Sequence, residues 1–550
     1  MLEKSNFAGN IAYDDLREWL GMAERLGEVR TVKGANCEED IGLAAEAVLR
    51  AEHGPCVVFE DIPGCPKGFR LLLNMFAGTR RNMTLGFPDH LTKWELSDAY
   101  REAYLKEQRI VPHVIVDDGP VLENVMMGDE VDVTKFPAPK WHERDGGYYI
   151  GTGTYSITRD PEENWLNAGA YRAQVHDKKT VGIVMAAGHH GRIHRDKSFK
   201  RGEPLPVVMI LGGDPLAFFF GGLEAPYGVF ELDLVGGLRG RPVEMVRGKV
   251  TGLPFPANAE IVLEGYVPPD RTHAEGPFGE WTGHYAGGVR EIPVLEIKAI
   301  YHRNDPIVVG VPPMGAGPDE MARYRAVMRS ATIKQNMTNA GVPGVQAVWC
   351  HEVGGARMLH AVSITQRYPG HAVQAAHVAA QCGASAYASK YIVVVDDDVD
   401  VTNIDHLLWA MLTRTDPKES IQFITGSWDS SADPALPPER RAVGNMTHSV
   451  ALINACKPWH WRDRFPPTNA PSSEVARKAR EKFGWLLDGS QPASEPPQLG
   501  QADCRSHCID FAKGASLIFQ HLTRLRRVSP YIRRTQHTRE HHVRSGRTTF

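Results

Sequence analysis

Near residue 112 the spacing of apolar residues changes, and that change limits the folds open to this chain. Before it, helical and strand patterns alternate. Asp14 and Asp15 stand ahead of Leu16, Trp19, Leu20, Met22 and Leu26, an apolar stripe at helical spacing behind an acidic cap. Residues 56–59 and 71–75 are apolar runs of strand length, and 91–108 reads as an amphipathic helix. From 112 onward Gly and Pro split the apolar runs into short pieces: 113–116, 148–158, 171–175, 181–185, 206–211, 244–250, 260–266 and 294–301. Runs this short make strands, so the segment is expected to be an all-β barrel, with a short helix at 230–238.

The pattern turns again at Pro312-Pro-Met-Gly-Ala-Gly317, whose composition reads as a joint. A long helix at 319–339 follows. Strand-like 345–349, 359–365 and 391–395 then alternate with helix-like 372–380 and 407–412, the pattern of an α/β domain with a largely buried sheet. The fold class is therefore a multidomain mixture of α+β and α/β. Its parts are an N-terminal α/β domain at 1–115, a β-barrel domain at 116–315, and a long helix with a C-terminal α/β domain at 316–489. Residues 490–550 open with a Ser/Pro-rich linker and end rich in Arg and His, the composition of a disordered basic tail.

The chain is 42% hydrophobic and 23% charged, with a formal net charge of −4, so nothing in it points to nucleic acid or to an anionic membrane. No apolar run approaches the ~18 residues of a membrane span. The first ten residues lack the apolar core of a signal peptide. The eight cysteines are scattered without a CxxC pair, which argues against a disulfide framework or structural zinc. These features describe a cytoplasmic protein of a reducing compartment. Cys504, His507 and Cys508 offer a single C-x3-C, which chance explains.

Three segments concentrate the chemistry: Asn167-Ala-Gly-Ala-Tyr-Arg172, Gly228-Val-Phe-Glu231-Leu-Asp233 and Glu275-Gly-Pro-Phe-Gly-Glu280. With His190 they offer an amide, an imidazole, an arginine and three glutamates. Asn167, His190 and Glu231 make a mixed oxygen and nitrogen donor set, suited to Mn²⁺, Mg²⁺ or Fe²⁺ rather than to a thiolate-seeking metal. No local spacing selects them. Asn167 also reads as the end of a turn, His190 as a cap of the Gly191 turn, and Glu231 as a solvated helix residue.

Glu275 and Glu280 are an odd number of residues apart, which in a regular strand sends them to opposite faces. The Gly276-Pro277 turn can bring both to one side. Arg172 between them would hold one ionised and leave the other to act as an acid. The plain alternative is a surface turn with two solvated glutamates. Asn167 and Arg172 share the same offset problem, and Gly169 gives room for a bulge between them. The run from His189 to Arg195 reads as a phosphate grip or as an exposed helix start. Asp396-Asp-Asp398-Val-Asp400 reads as a metal-binding run, or as carboxylates capping a helix that begins near Asn403.

Taken jointly, the Asn167-x4-Arg172 pair, His190, the Ala225-Pro-Tyr-Gly-Val-Phe-Glu231 run and the Glu275-to-Tyr285 run resemble the UbiD family of prenylated-FMN-dependent (de)carboxylases. So do the acidic run ending at Asp400 and Trp409-Ala-x-x-Thr-Arg414. The similarity extends over residues 13–488. It implies a split β-barrel, flavin-reductase-like, that binds the cofactor, and a C-terminal domain that builds a homodimer or homohexamer. By position, Asn167, His190 and Glu231 would bind a divalent metal, Mn²⁺ before Mg²⁺ or Fe²⁺, through the cofactor phosphate, with K⁺ nearby. Arg172, His189 and the three metal ligands would be the cofactor-binding residues.

Arg172, Glu275 and Glu280 would form the catalytic network. Glu280 is the implied proton donor, Arg172 the contact to the substrate carboxylate and Glu275 the residue that orients Arg172. The implied reaction is reversible, non-oxidative decarboxylation of an aromatic, heteroaromatic or α,β-unsaturated acid through a covalent adduct with prenylated FMN. A separate flavin prenyltransferase would supply that cofactor. The chain has Ala384 where the ferulic acid decarboxylase branch has a phosphate-binding lysine. Pocket positions map to Ala186, His189, Trp281, Met321, Arg325 and Ser430. Trp281 offers a flat wall for a ring. His189 and Arg325 point to a polar substituent, unless Arg325 lies on the solvated face of its helix. Two other classes fit parts of the pattern: a flavin carrier of the same fold, and a metal-dependent hydrolase that uses Asn167, His190 and Glu231 on a phosphorylated substrate.

Overall fold

The computed structural model describes residues 10–488, apart from 107, 108, 187, 224, 316 and 470. The tail at 490–550, with Cys504, His507 and Cys508, lies outside the described residues. The chain divides into two units, Met1–Phe465 and Pro466–Phe550. In the second, Ser472 caps the helix Ser473–Phe483.

In the first unit, Asp15 accepts a hydrogen bond from the Glu18 amide and starts the helix Leu16–Arg25, which buries Leu16, Trp19, Leu20 and Ala23. A four-stranded sheet follows, in the order Val29–Lys33, Cys56–Glu60, Arg70–Leu73 and Ile307–Gly310. Its last strand returns from far along the chain to lie parallel to Arg70–Leu73. The expected helix at 91–108 starts at Lys93, behind a Thr92/Glu95 capping box, and passes into a π-helical turn at Arg101–Leu105.

The β-rich middle forms a ten-stranded antiparallel sheet curled into a half-barrel. Its path runs Tyr149–Gly151, Ala173–Asp177, Thr180–Ile183, Arg290–His302, Ile261–Val267, Leu205–Gly212, Tyr155–Arg159, Leu166–Gly169. The long strand Arg290–His302 is its spine and also pairs with Thr272–Glu275 and Asn124–Met127. The sheet bends where the register shifts between Glu264 and Gly265. A Cβ on Gly265 would lie 1.9 Å from the Glu296 carbonyl oxygen, so only glycine allows that approach.

Three details differ from the sequence reading. The run at 148–158 is two strands, Tyr149–Gly151 at one end of the sheet path and Tyr155–Arg159 next to the other end. The break falls where the Gly153 amide donates to the Val309 carbonyl at 3.2 Å, a bond to the other sheet. The runs at 113–116 and 244–250 leave the barrel; Val114–Ile115 and Glu244–Arg247 pair in a small sheet with Pro254–Pro256. Leu166–Gly169, which carries Asn167, is a strand that apolar spacing does not reveal.

Asp319 accepts from the Ala322 amide at 2.6 Å and starts the helix Glu320–Asn339. The sheet beyond it is mixed, in the order Val345–Cys350, Leu359–Ile364, Tyr391–Asp396, Thr447–Asn454 and Ile421–Trp428. Its central pairs are parallel and its two outer pairs antiparallel. The sheet is less buried than expected, because the edge strand Ile421–Trp428 leaves Phe423 and Trp428 exposed. Carboxylates of the acidic run have protein partners. Asp398 pairs with Arg414 at 2.8 Å and with Lys457 at 2.6 Å, while Asp396 accepts from Gln366 and from the Lys457 amide. Asn403, not an aspartate, caps the helix Ile404–Arg414. Among the described residues, no helix is long and apolar enough to cross a membrane.

Candidate active site

The strand Thr272–Glu275 ends on one carboxylate, and the Gly276-Pro277 turn directs the chain back toward the other. Arg172 receives both. Its Nε and Nη2 donate to the two oxygens of Glu275 at 2.9 and 3.0 Å, and its Nη1 donates to Glu280 Oε1 at 3.1 Å. The Glu275 side chain is fully buried, whereas that of Glu280 keeps 13% of its surface exposed. Tyr149 donates its hydroxyl to Glu275 Oε1 at 3.0 Å, and the Phe278 ring lies 5.0 Å from the Arg172 guanidinium. Burial opposes charge on Arg172, but the carboxylates of Glu280 and Glu275 outweigh it and hold the guanidinium well above its ordinary value. The same carboxylate raises Tyr149: burial first, then Glu275, keep its phenol protonated.

Asn167 and Arg172 are re-aimed by a strand break rather than by the expected bulge. Leu166–Gly169 ends, the Ala170 amide bonds the Gly221 carbonyl at 2.7 Å, and a new strand opens at Ala173. Tyr171, between them, fills the space that Gly169 and Gly191 leave. A Cβ on either glycine would lie within 2.5 Å of its ring or hydroxyl. The Tyr171 hydroxyl accepts from the Gly191 amide at 3.0 Å. Burial raises its phenol to about 12, against the Gly191 amide and a side-chain bond to Asn167.

Asn167, His190 and Glu231 line one cavity. His190 is the first residue of the helix His190–Lys200, and Glu231 the first of Glu231–Arg239. His190 meets Trp165 and Tyr227 edge-to-face, and burial lowers its imidazole. Glu231 is 2% exposed and accepts the Ala168 amide at 2.6 Å. Burial raises its carboxyl to about 8, and no cation among the described residues offsets this. Asn167 is equally buried. A buried carboxylate without a cation, a neutral imidazole and a buried amide, all lining one cavity, form a donor set that fits one hard divalent metal. Among the described residues no cluster of three or more His, Cys, Asp or Glu could hold a metal ion; this set has only two such side chains and relies on the amide.

Gly169, Gly188, Gly221, Gly222 and Gly383 give the cavity a wall free of side chains, open to a flat ring system. His189, Met321 and Arg325 line it as well. Arg325 is 4% exposed and so does not lie on a solvated helix face. Ser430 accepts from Tyr387, which also lines the cavity. Trp281 lies beside it, packed on Gly355 with Arg357 over its ring. Arg172, Glu275 and Glu280 are not among the lining residues; they begin one residue beyond Tyr171. Sequence reasoning missed Tyr149 and Tyr171 as supports, and Arg329 and Arg357 in the lining. Tyr171 was legible from its place between Asn167 and Arg172. Nothing local singles out the others.

Residues 113–316 match the 3-octaprenyl-4-hydroxybenzoate carboxy-lyase Rift-related domain, and 324–455 match that enzyme's C-terminal domain. The pyrrole-2-carboxylic acid decarboxylase of Pseudomonas aeruginosa is 31% identical over 450 residues, covering 78% of this chain and 89% of the relative. The 3,4-dihydroxybenzoic acid decarboxylase AroY of Klebsiella pneumoniae superposes with a TM-score of 0.74 at 26% identity, over 86% of this chain and 100% of that one. HmfF of Pelotomaculum thermopropionicum, in complex with FMN, gives 0.73 at 25% identity over 84% and 98%. An evolved dimeric form of HmfF was solved with prenylated FMN. Fold and site together define a carboxy-lyase, an enzyme that decarboxylates. The chain belongs to the UbiD family of prenylated-FMN-dependent decarboxylases.

Proposed function

We propose that this enzyme catalyses reversible, non-oxidative decarboxylation of an aromatic or heteroaromatic carboxylic acid, with Glu280 as the proton donor. The observation that carries the reading is one arginine shared by two unequal carboxylates. Glu275, fully buried and doubly bonded, fixes Arg172; Glu280, singly bonded and partly open, is the one able to exchange a proton with a substrate. Arg172 contacts the substrate carboxylate. Prenylated FMN, when bound, supplies an electron sink for the carbon that loses CO₂. Asn167, His190 and Glu231 would hold a divalent metal, Mn²⁺ first, at the cofactor phosphate, and His189 would sit against the cofactor.

The relatives named for pyrrole-2-carboxylic and 3,4-dihydroxybenzoic acids support an aromatic substrate. Trp281 offers it a flat wall and the buried Arg325 a site for a polar substituent. In this reading residues 116–315 are a split β-barrel cofactor domain after an N-terminal domain at 1–115, and 316–489 mediate homo-oligomerisation. A separate flavin prenyltransferase supplies the cofactor. The test is co-production with such a transferase, followed by an anaerobic screen of aromatic acids for CO₂ release. Release is expected only from protein that holds the prenylated cofactor. A full rate with ordinary FMN refutes the reading.

A further inference from the structure

Glu280 stands in a segment poorly suited to hold a carboxylate still. Gly276, Gly279, Gly283, Gly287 and Gly288 interrupt it, and each glycine adds conformational freedom that ordering must remove. Besides the Arg172 bond to Glu280, three ties come from the half-barrel side. The Gly146 amide donates to the Pro277 carbonyl at 2.8 Å, the Gly276 amide donates to Gln174 Oε1 at 3.3 Å, and the Tyr285 hydroxyl donates to Asp145 at 3.0 Å. Two more come from the C-terminal mixed-sheet domain. Thr282 donates its hydroxyl to the Ala432 carbonyl at 2.9 Å. Arg441 spans the gap: its Nη1 donates to the Ala286 carbonyl at 2.6 Å, while its Nη2 donates to the carbonyls of Asp433 at 2.9 Å and Leu436 at 3.3 Å.

The far side of this bridge is buried and ion-paired. Asp433 is 1% exposed and paired with Lys390 at 2.6 Å. Asp429 is 2% exposed, lies 3.3 Å from His448 Nδ1, and its amide bonds the Met446 carbonyl. The same loop presents Ser430 to Tyr387 at 2.8 Å, at the cavity wall. One guanidinium thus ties the glycine-rich acid segment to a buried ionic anchor beside the cavity.

We propose that Arg441 is a positioning residue for Glu280, holding the acid segment against the C-terminal domain so that the carboxyl group stays at its working position. The proposal rests on the reading of Glu280 as the proton donor. Arg441 touches neither the Arg172 network nor the cavity lining, so its loss should not release the cofactor.

The experiment uses the full chain loaded with prenylated FMN. It compares Arg441→Gln, Arg441→Lys and Glu280→Gln in turnover, KM, flavin absorbance and solvent deuterium incorporation into the product carbon. Arg441→Gln is expected to lower kcat and deuterium incorporation together by ~10–100-fold, the scale of an ångström-sized misplacement. Flavin content and KM should stay within about twofold of the parent. Arg441→Lys should recover part of the loss. If Arg441→Gln does not fold, Thr282→Val removes the neighbouring tie and should lower the same two rates. Parent rates in Arg441→Gln beside an inactive Glu280→Gln overturn the inference and leave the acid assignment standing. Loss of flavin, or a KM that rises in step with the fall in kcat, also overturns it, by showing general packing. An active Glu280→Gln removes the acid assignment and the inference with it.

Discussion

Replacing Glu275 by Gln tests how the Arg172 network divides its work. Arg172 makes three hydrogen bonds to carboxylate oxygens, and two of them, at 2.9 and 3.0 Å, go to Glu275. Gln has one oxygen, so at least one of those bonds is lost, and its amide NH₂ then faces another donor. A hydrogen bond to a charged group contributes ~1.5–3 kcal/mol, and removing one partner of a buried ion pair costs ~3–5 kcal/mol. Glu280 still compensates Arg172 at 3.1 Å, so the lower end applies, although Arg290, 3.6 Å from Glu275, loses its partner as well. The expected loss is ~2–3 kcal/mol of stability, a fall of ~2–3 °C in the apparent melting midpoint of the flavin-loaded protein. A loosened Arg172 no longer orients the substrate carboxylate, so kcat should fall ~100-fold. Scanning calorimetry with steady-state assays on the same preparation gives both numbers. A variant within ~0.5 kcal/mol and about twofold in kcat of the parent would refute the account of Glu275 as the residue that fixes Arg172.

Glu280→Gln should show the opposite balance: near-parent stability and flavin content, with turnover and solvent exchange down by ~10²–10⁴, the range for a general acid. Near-normal exchange would move the acid role to Glu275. Glu231→Ala removes one of three proposed ligands and the acceptor of the Ala168 amide. It should lower metal and flavin retention together, read by metal analysis and the flavin spectrum; unchanged contents would take Glu231 out of the site. Glu320 gives a pH signature. Burial raises its carboxyl from an ordinary 4.5 to about 7, against the Met75 amide and the charges of Arg323 and Arg80. The folded chain therefore holds this proton more tightly than the unfolded one. Its stabilisation is complete below pH 4.5 and is lost as pH rises through about 7, a change of ~3 kcal/mol. Glu320→Gln should lack that slope in melting midpoint against pH, and equal slopes in parent and variant would discard the assignment.

Much of the fold was legible because it repeats locally. Asp15 ahead of Leu16, Asp319 ahead of the long helix, and the short apolar runs between 171 and 301 report burial at a fixed spacing, and spacing along the chain is what sequence displays. The site residues were not legible in that way: no local spacing selects Asn167, His190 and Glu231, and only the joint resemblance of several segments to one family singled them out. Other features depended on distant segments meeting. Ile307–Gly310 joins a sheet begun at Val29, and the run at 148–158 splits because Gly153 bonds Val309. Within the acidic run at 396–400, Asp398 pairs with Arg414 and Lys457. Spacing alone favoured a surface turn with two solvated glutamates over a paired Glu275 and Glu280. Only the curled sheet, which brings Arg172 across more than a hundred residues to both carboxylates, chose between solvated turn and paired network. The sequence by itself determined which chemical groups are present and which local elements carry them. The tertiary structure decided which groups face each other, because a contact between remote residues depends on how every intervening element packs, and no spacing along the chain records that.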